Sequence, residues 1–453
     1  MSKTLHIKTF GCQMNVYDSK KIEDMLGALG YTSTPELTAD VVLLNTCHIR
    51  EKAEDKLFSD LGRFHLLKKE RQNNGQDMVI VVAGCSAQAL GAHILKRAPY
   101  VDMVVGPQTY YHLPQMLAML QRRKDEQVEG ENKPFKGVLE TGFPKISKFD
   151  QLPQTSLTGP VSAFLSIQEG CDKFCTYCVV PYTRGAEYSR DVESIIQEAR
   201  ILLEKGVKEI TLLGQNVNAY HGKNANGHVV GLSFLLQRLA ELPDLKRLRY
   251  TTSHPRDMTD DLIQAHGQID ILMPFLHLPV QSGSDKILAH MNRQHTTEFY
   301  LEKINALKNA RPEIAFSSDF IVGYPGETQE DFQKTCDLVE KVQFAQAYSF
   351  MYSPRPGTPA AIQDQIPGEV KAERLQILQA LLRQHQLAFN RSMEGKVLPI
   401  LLEKKGQRPG QILGRSPFMQ SVYLSQGALG QEINVQITSG FLNSLKGEVV
   451  DHV

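Results

Sequence analysis

Two rhythms of hydrophobic and polar positions run along this chain. Thr4–Phe10, Asp40–Asn45, Met78–Ala83 and Val101–Val105 are short, apolar, β-branched runs. The segments between them carry apolar residues at helical spacing, as in Tyr17–Leu29, with Ile22, Met25, Leu26 and Leu29 on one face. The order βαβαβαβα over residues 1–120 predicts a parallel sheet covered by helices on both faces. Residues 121–160 lose this periodicity and fill with Lys, Glu, Asp, Gln, Gly and Pro, which reads as a linker with one short strand at Gly137–Glu140.

From residue 161 to 390 the alternation returns on a longer beat. Strands are expected at Ser162–Ile167, Glu209–Leu213, Arg247–Thr252, Met273–Leu278, Ala315–Val322 and Gln346–Met351, with helices between them at Val192–Lys205, Leu232–Leu242, Asp257–His266, Thr296–Ala310 and Glu327–Val342. Six strand–helix units are too few for a closed eight-fold barrel, so a partial (β/α)6 barrel is predicted. A long amphipathic helix over Glu369–Asn390 follows. Residues 391–453 then break into short strands, Lys396–Leu402, Gly410–Leu413, Ser421–Leu424 and Glu432–Ile437, the texture of a small antiparallel β-barrel. The fold class is thus α/β with a β-barrel end.

Composition changes this picture little. The 453 residues hold 50 Lys plus Arg against 50 Asp plus Glu, so any nucleic-acid contact must come from a local patch. No apolar run reaches the roughly 18 residues of a membrane helix, and the first ten residues alternate like a strand, so a cytoplasmic protein with no membrane partner is expected.

The cysteines carry the chemistry. Seven in a large chain do not read as a disulfide framework. Cys171-Asp-Lys-Phe-Cys175-Thr-Tyr-Cys178 places three thiols at x3 and x2 spacing directly after a strand, a loop able to wrap three corners of a cubane iron-sulfur cluster and leave one iron open. Zinc would call for a fourth ligand within a few residues, and none follows. Cys12, Cys47 and Cys85 lie 35 and 38 residues apart, yet each ends a predicted strand, and Gly precedes two of them. The carboxyl ends of parallel strands share one edge, so three neighbouring strands would gather these thiols into a second cluster site. Cys336 sits mid-helix and is read as core.

Tyr177 before the last cysteine, and the loop's place after the first strand of a partial barrel, resemble the radical S-adenosylmethionine enzymes. The whole pattern is similar to the methylthiotransferase family: a flavodoxin-like three-cysteine domain, a radical domain and a terminal RNA-binding TRAM barrel. Thr9-Phe10-Gly11-Cys12-Gln13-Met14-Asn15, Leu213-Gly214-Gln215-Asn216-Val217-Asn218-Ala219-Tyr220 and His277-Leu278-Pro279-Val280-Gln281-Ser282-Gly283-Ser284 resemble its tRNA-modifying branch. The resemblance implies that Cys171, Cys175 and Cys178 hold the cluster that binds S-adenosylmethionine, and that Cys12, Cys47 and Cys85 hold an auxiliary [4Fe-4S] cluster. It implies two S-adenosylmethionine molecules per turnover. One methylates a sulfur on the auxiliary cluster, and the other supplies the radical that lets the methylthio group end on C2 of an isopentenylated adenosine at position 37, in the anticodon loop of tRNA. An electron-donor protein and a sulfur source are the further partners implied.

The same resemblance points to Gln215, Asn216, Gln281, Ser282 and Gly323 as S-adenosylmethionine contacts, at strand ends where (β/α) barrels build their sites. Gly323–Glu327 reads equally well as a plain turn into a helix, and His254 and His277 read as packed histidines rather than catalytic ones. No catalytic residue is identified. In the last domain Lys404, Lys405, Arg408 and Arg415, flanking strands with Phe418 and Tyr423, form a candidate phosphate-and-stacking surface. Threonylcarbamoyladenosine in tRNA and a ribosomal protein are the competing substrates within the family. A non-enzymatic iron-sulfur or RNA-binding protein is the alternative outside it, one that would leave a six-strand barrel without purpose.

Overall fold

Strands β1 (Thr4–Thr9), β2 (Thr32–Ser33), β3 (Val41–Thr46), β4 (Val79–Gly84), β5 (Met103–Val105) and β6 (Val138–Glu140) form one sheet in the order β2-β1-β3-β4-β5-β6, with every pairing parallel. They belong to the first of two compact units: Met1–Leu157 with Glu169–Asp172 and Val179–Tyr188, against Thr158–Gln168 with Lys173–Cys178 and Ser189–Val453. This computed structural model describes residues 3–48, 53–128, 137–144, 147–152 and 160–450.

The central strand shows why the apolar runs are continuous. Val41 and Leu43 pack into one buried cluster with Ile22, Leu26 and Leu117, while Val42 and Leu44 pack into another with Leu57, Leu61 and Phe64. Both faces are covered, so both sets of side chains must be apolar. The chain order crosses over between β1 and β3, the switch point where such sheets open a ligand crevice at their carboxyl edge.

Helix α1 covers Gln13–Gly27, beginning before the Tyr17 expected from periodicity. Its first turn, Gln13–Asn15, holds a single apolar residue, Met14, between two amides, too little to show a period. Helices α2 (Ala53–Asn73), α3 (Cys85–Leu90), α4 (Ala92–Arg97) and α5 (Leu113–Val128) complete the layers. α5 runs on past residue 120, because Gln, Arg, Lys and Glu are good helix formers without an apolar face. The short strand expected at Gly137–Glu140 is β6, at the sheet edge. Much of the rest of 121–160 lies outside the described residues. A five-residue helix, α6 (Val180–Arg184), also falls in this unit. Periodicity does not reveal it, since so short a helix shows no period.

In the second unit β7 (Ser162–Ser166), β8 (Glu209–Leu213) and β9 (Arg247–Tyr250) pair in parallel, as do β10 (Phe275–His277), β11 (Ala315–Val322) and β12 (Gln346–Met351). A parallel bridge between Leu248 and Leu272 joins the two triplets. Among the described residues no ladder returns from β12 to β7, so the barrel is open. Helices α7 (Val192–Glu204), α8 (Leu232–Ala240), α9 (Asp260–Gln268), α10 (Asp285–His290), α11 (Thr297–Ala310) and α12 (Gln329–Val342) lie between the strands. α10 is the one that periodicity missed. Leu165, Ile210, Leu212, Leu248 and Phe320 pack into the buried core together with helix residues such as Ile195, Leu235 and Val339. The alternate residues Glu209, Arg247 and Arg249 therefore face the lumen. Cys336 is buried in the same core, as expected.

Helix α13 (Gly368–Arg391) leads to a closed five-strand barrel, β13 (Val397–Lys405), β14 (Ile412–Arg415), β15 (Ser421–Leu424), β16 (Glu432–Gly440) and β17 (Ser444–Val449), in the order β13-β14-β15-β17-β16. Two features differ from the expectation. β17 is an additional strand, hidden from the pattern because its Leu445-Lys-Gly-Glu run buries little but Leu445. β15 pairs with it in parallel, so the barrel is not wholly antiparallel. The two lumen arginines meet this barrel: Arg247 donates to the carbonyls of Pro399 and Arg415, and Arg249 to those of Ser416 and Pro417.

Candidate metal centres

The first unit brings Cys12, Cys47 and Cys85 to one edge. Cys12 caps the start of α1 and Cys85 is the first residue of α3, while Cys47 directly follows β3. Their strands β1, β3 and β4 are neighbours. The glycines before Cys12 and Cys85 are required by close approach. A Cβ on Gly11 (φ +121°) would stand 2.3 Å from the Cys47 Cβ, and one on Gly84 (φ +93°) 2.4 Å from the Asn45 Oδ1.

The thiols interact. A hydrogen bond with Cys47 pulls the Cys12 pKa down to about 6 against the upward push of burial, and Arg184 helps. Burial pushes the Cys85 thiol up, opposed by the positive charge of Arg184. Asn15 Oδ1 accepts from the Cys12 thiol and from Arg184 Nη2, each at 3.5 Å.

Behind the thiols lies a buried ring of alternating charge. Arg184 reaches Asp18 at 2.8 Å and Glu169 at 2.5 Å, and Lys148 reaches the same two acids at 3.1 and 2.8 Å. Sequence reading missed all four residues. Their partners lie up to 166 positions apart, and the sole available signal was an arginine in the short Pro181-Tyr-Thr-Arg184-Gly185 segment after the cysteine loop.

No three His, Cys, Asp or Glu side chains among the described residues are arranged to hold a single metal ion. A cubane makes a different demand, since each thiolate takes a separate iron of a larger centre. Three thiols outside any disulfide, with no carboxylate or imidazole among them, are a soft donor set that suits iron-sulfur and not a hard cation.

In the first unit, the Cys171 N–H donates to Gly185 O. In the second, the Cys178 N–H donates to Cys175 O, and residues 291–293 hold the loop. The Thr176 N–H donates to Met291 O, the Asn292 amide to the carbonyls of Lys173 and Phe174, and Arg293 Nη1 lies 3.6 Å from Cys175 Sγ. Lys173 pairs with Asp257 at 2.7 Å, and Asp257 accepts from Asn216 Nδ2 at 2.7 Å. Gln168 Oε1 accepts the backbone N–H groups of Gln215 and Asn216. The structure therefore ties the cysteine loop to the end of β8.

Several buried polar atoms here have no partner among the described residues: Asn216 Oδ1, Ser253 Oγ, His254 Nε2, Arg293 Nε and His295 Nε2. The two histidine rings pack edge to face at 5.5 Å. Burial, with Arg293 next in weight, holds both neutral: His295 is pulled to about 4 and His254 still lower. His254 Nδ1 accepts from Arg256 N–H, which puts its proton on Nε2, while His295 Nδ1 faces the Arg293 carbonyl, which leaves its Nε2 an acceptor. A polar ligand with donors and acceptors would satisfy both; an apolar one would not.

The remaining expected contacts are placed less openly. Gln281 adopts φ +82° and bridges to β11. Ser282 is fully buried, its hydroxyl shared with Thr335 and accepting the Ser284 N–H. Gly323 takes φ +68°, and its N–H donates to Glu327, whose carboxylate pairs with Arg374 at 2.7 Å. That turn is a built structure, and Thr328 caps the helix that follows, α12. His277 contacts Ser317 and Asp319. In the terminal barrel Lys404, Lys405 and Arg408 are exposed, but Arg415 is committed to Met419, Ser421 and Glu403, and Phe418 packs on Phe389. Tyr423 is 43% exposed.

Among the described residues no helix is long and apolar enough to cross a membrane. The radical SAM superfamily matches residues 165–339, the uncharacterized protein family UPF0004 residues 4–106, and the TRAM domain residues 391–450. The chain is 54% identical over 455 residues, 99% of its length and 100% of the relative, to a tRNA-2-methylthio-N(6)-dimethylallyladenosine synthase from Rickettsia canadensis (strain McKiel). It is 53% identical over the same shares to one from Rickettsia typhi (strain ATCC VR-144 / Wilmington). Among solved structures it is similar in fold to the radical S-adenosylmethionine methyltransferase TsrM from Kitasatospora setae, with TM-score 0.57 and 15% identity over 80% of this chain and 77% of that one.

Proposed function

The chain belongs to the tRNA-2-methylthio-N(6)-dimethylallyladenosine synthase family of radical SAM enzymes, and from that premise we propose how its residues divide the work. Cys171, Cys175 and Cys178 hold the [4Fe-4S] cluster that binds S-adenosylmethionine, and Cys12, Cys47 and Cys85 hold the auxiliary one. When bound, the clusters and S-adenosylmethionine supply the electron, the radical and the sulfur that turn C2–H of N6-dimethylallyladenosine, at position 37 of tRNA, into C2–S–CH3. The observation that carries this reading is the gathering of three thiols from the ends of β1, β3 and β4, in a chain that carries a second, independent three-thiol loop.

The protein's own contribution is to bind and orient. Asn216, with a free Oδ1, joins Gln215, Gln281 and the backbone at Ser282 and Gly323 as the S-adenosylmethionine wall. Neutral His254 and His295 offer one donor and one acceptor without adding charge. Lys173, Asp257 and Asn216 tie the cysteine loop to that wall, so the ligand and the open iron are set in one frame. Lys404, Lys405, Arg408 and Tyr423 of the TRAM barrel contact tRNA, with phosphate contacts giving affinity rather than base choice. An electron-donor protein and a sulfur source complete the reaction, which belongs to the cytoplasm in this reading. Anaerobically reconstituted protein, given S-adenosylmethionine, a reductant and sulfide, should convert prenylated tRNA to its methylthio form, read by mass analysis of nucleosides. Product on threonylcarbamoyl tRNA or on a ribosomal protein instead would overturn the substrate assignment.

A further inference from the structure

Arg184 is 2% exposed and belongs to the four-membered ring with Asp18, Glu169 and Lys148. Two acids against two bases make that ring neutral by itself. Arg184 also reaches toward the thiols: its Nη2 lies 3.5 Å from Asn15 Oδ1, the atom that accepts from the Cys12 thiol. Its planar fork can serve two acids and the Asn15 amide at once, which a lysine ammonium cannot do with the same geometry.

We propose that Arg184 is a positioning residue for the auxiliary cluster: held by Asp18 and Glu169 and linked to Cys12 through Asn15, its buried guanidinium sets a positive charge beside the cluster-bound sulfurs and so raises the reduction potential of that centre. The inference rests on the assignment of Cys12, Cys47 and Cys85 as cluster ligands. A buried positive charge beside ligating sulfurs favours the reduced, more negative cluster. Burial keeps water from screening it. Arg184 also lies six residues after Cys178, so the segment that closes the radical-domain cysteine loop continues directly into the residue that addresses the auxiliary thiols. The two centres share one short stretch of chain.

The test uses full-length protein with Cys171, Cys175 and Cys178 replaced by Ala, so that a single centre of about four irons remains to be titrated. In this background the auxiliary cluster's midpoint potential is read by redox titration with electron paramagnetic resonance. Arg184→Gln should move the midpoint to a more negative value with iron content kept, and Arg184→Lys should restore part of the shift, since it returns the charge without the fork. Should Arg184→Gln lose iron, Arg184→Gln with Asp18→Asn keeps the remaining Lys148–Glu169 pair neutral and should show a smaller negative shift, because the loss of the Asp18 charge offsets part of the loss of the arginine. An unchanged midpoint in an iron-loaded Gln variant would overturn the proposal, as would loss of iron from both Gln variants, which would make Arg184 scaffold alone. If the parent with three Ala holds no cluster, the ligand assignment itself fails, which separates that failure from the failure of the arginine's role.

Discussion

Arg247 on β9 and Glu432 on β16 form an ion pair at 2.7 Å, across 185 positions of sequence. The arginine is fully buried and also serves two carbonyls of the terminal barrel, whereas Glu432 is 41% exposed. The bonds to the carbonyls therefore outweigh the screened pair. Arg247→Ala should cost about 2–4 kcal/mol by leaving buried carbonyls unpaired, and Glu432→Gln under about 1 kcal/mol. Thermal melts, with limited proteolysis of residues 391–450, check this. Equal effects of the two changes would contradict the ranking.

The two cysteine sets lie on different elements, so they should assemble separately. Replacing Cys171, Cys175 and Cys178 by Ala should leave about four irons per chain, as should replacing Cys12, Cys47 and Cys85. The second variant should still cleave S-adenosylmethionine reductively but form no methylthio product. Iron near zero or near eight in either, or product from the second, argues against the division of labour.

Exposed and committed cations in the TRAM barrel should behave differently. Lys404→Ala, Lys405→Ala and Arg408→Ala together should weaken tRNA binding and flatten its salt dependence, by a log–log slope of up to about 0.9 for each duplex phosphate that is no longer neutralised. Arg415→Ala, which removes bonds to Met419 O and Ser421, should lower stability more than it alters that slope. A salt slope that responds to Arg415 alone would reverse these roles.

His266 makes the fold acid-sensitive. Its Nε2 accepts from Tyr250 at 2.6 Å, its Nδ1 has no partner among the described residues, and burial pushes it down to about 3. The folded value lies below the unfolded one of about 6.5. Its contribution is therefore present above about pH 6.5 and is lost as pH falls toward 3, by about 2 kcal/mol at pH 5. His266→Phe should be less stable at pH 7.5, with Tyr250 unpaired, yet lose about 2 kcal/mol less than the parent on going to pH 5. Urea denaturation at the two pH values measures it, and parallel losses in both proteins would reject the assignment.

Local chemistry was legible from residues alone. Continuous apolar runs such as Val41–Leu44 declare a strand buried on both faces, because no polar side chain survives there. The x3 and x2 spacing of Cys171, Cys175 and Cys178 declares a ligand loop, because a short spacer can place thiols around one small centre. Gly11 and Gly84 declared a close approach, and each faces atoms that a Cβ would strike. These signals lie within one element or one turn, where sequence neighbours are spatial neighbours.

What tertiary structure decided is which distant groups share one buried space. That Arg184 meets Asp18 and Lys148, or that Arg249 feeds the carbonyls of Ser416 and Pro417, depends on chain crossings that no local pattern encodes. The same holds for the unpartnered atoms of Asn216, His254 and His295, since burial and partnership belong to the packed molecule. Short elements such as Val180–Arg184 and Ser444–Val449 escaped for a related reason. Their place comes from backbone pairing and packing, whereas a pattern of hydrophobicity records only what must leave water.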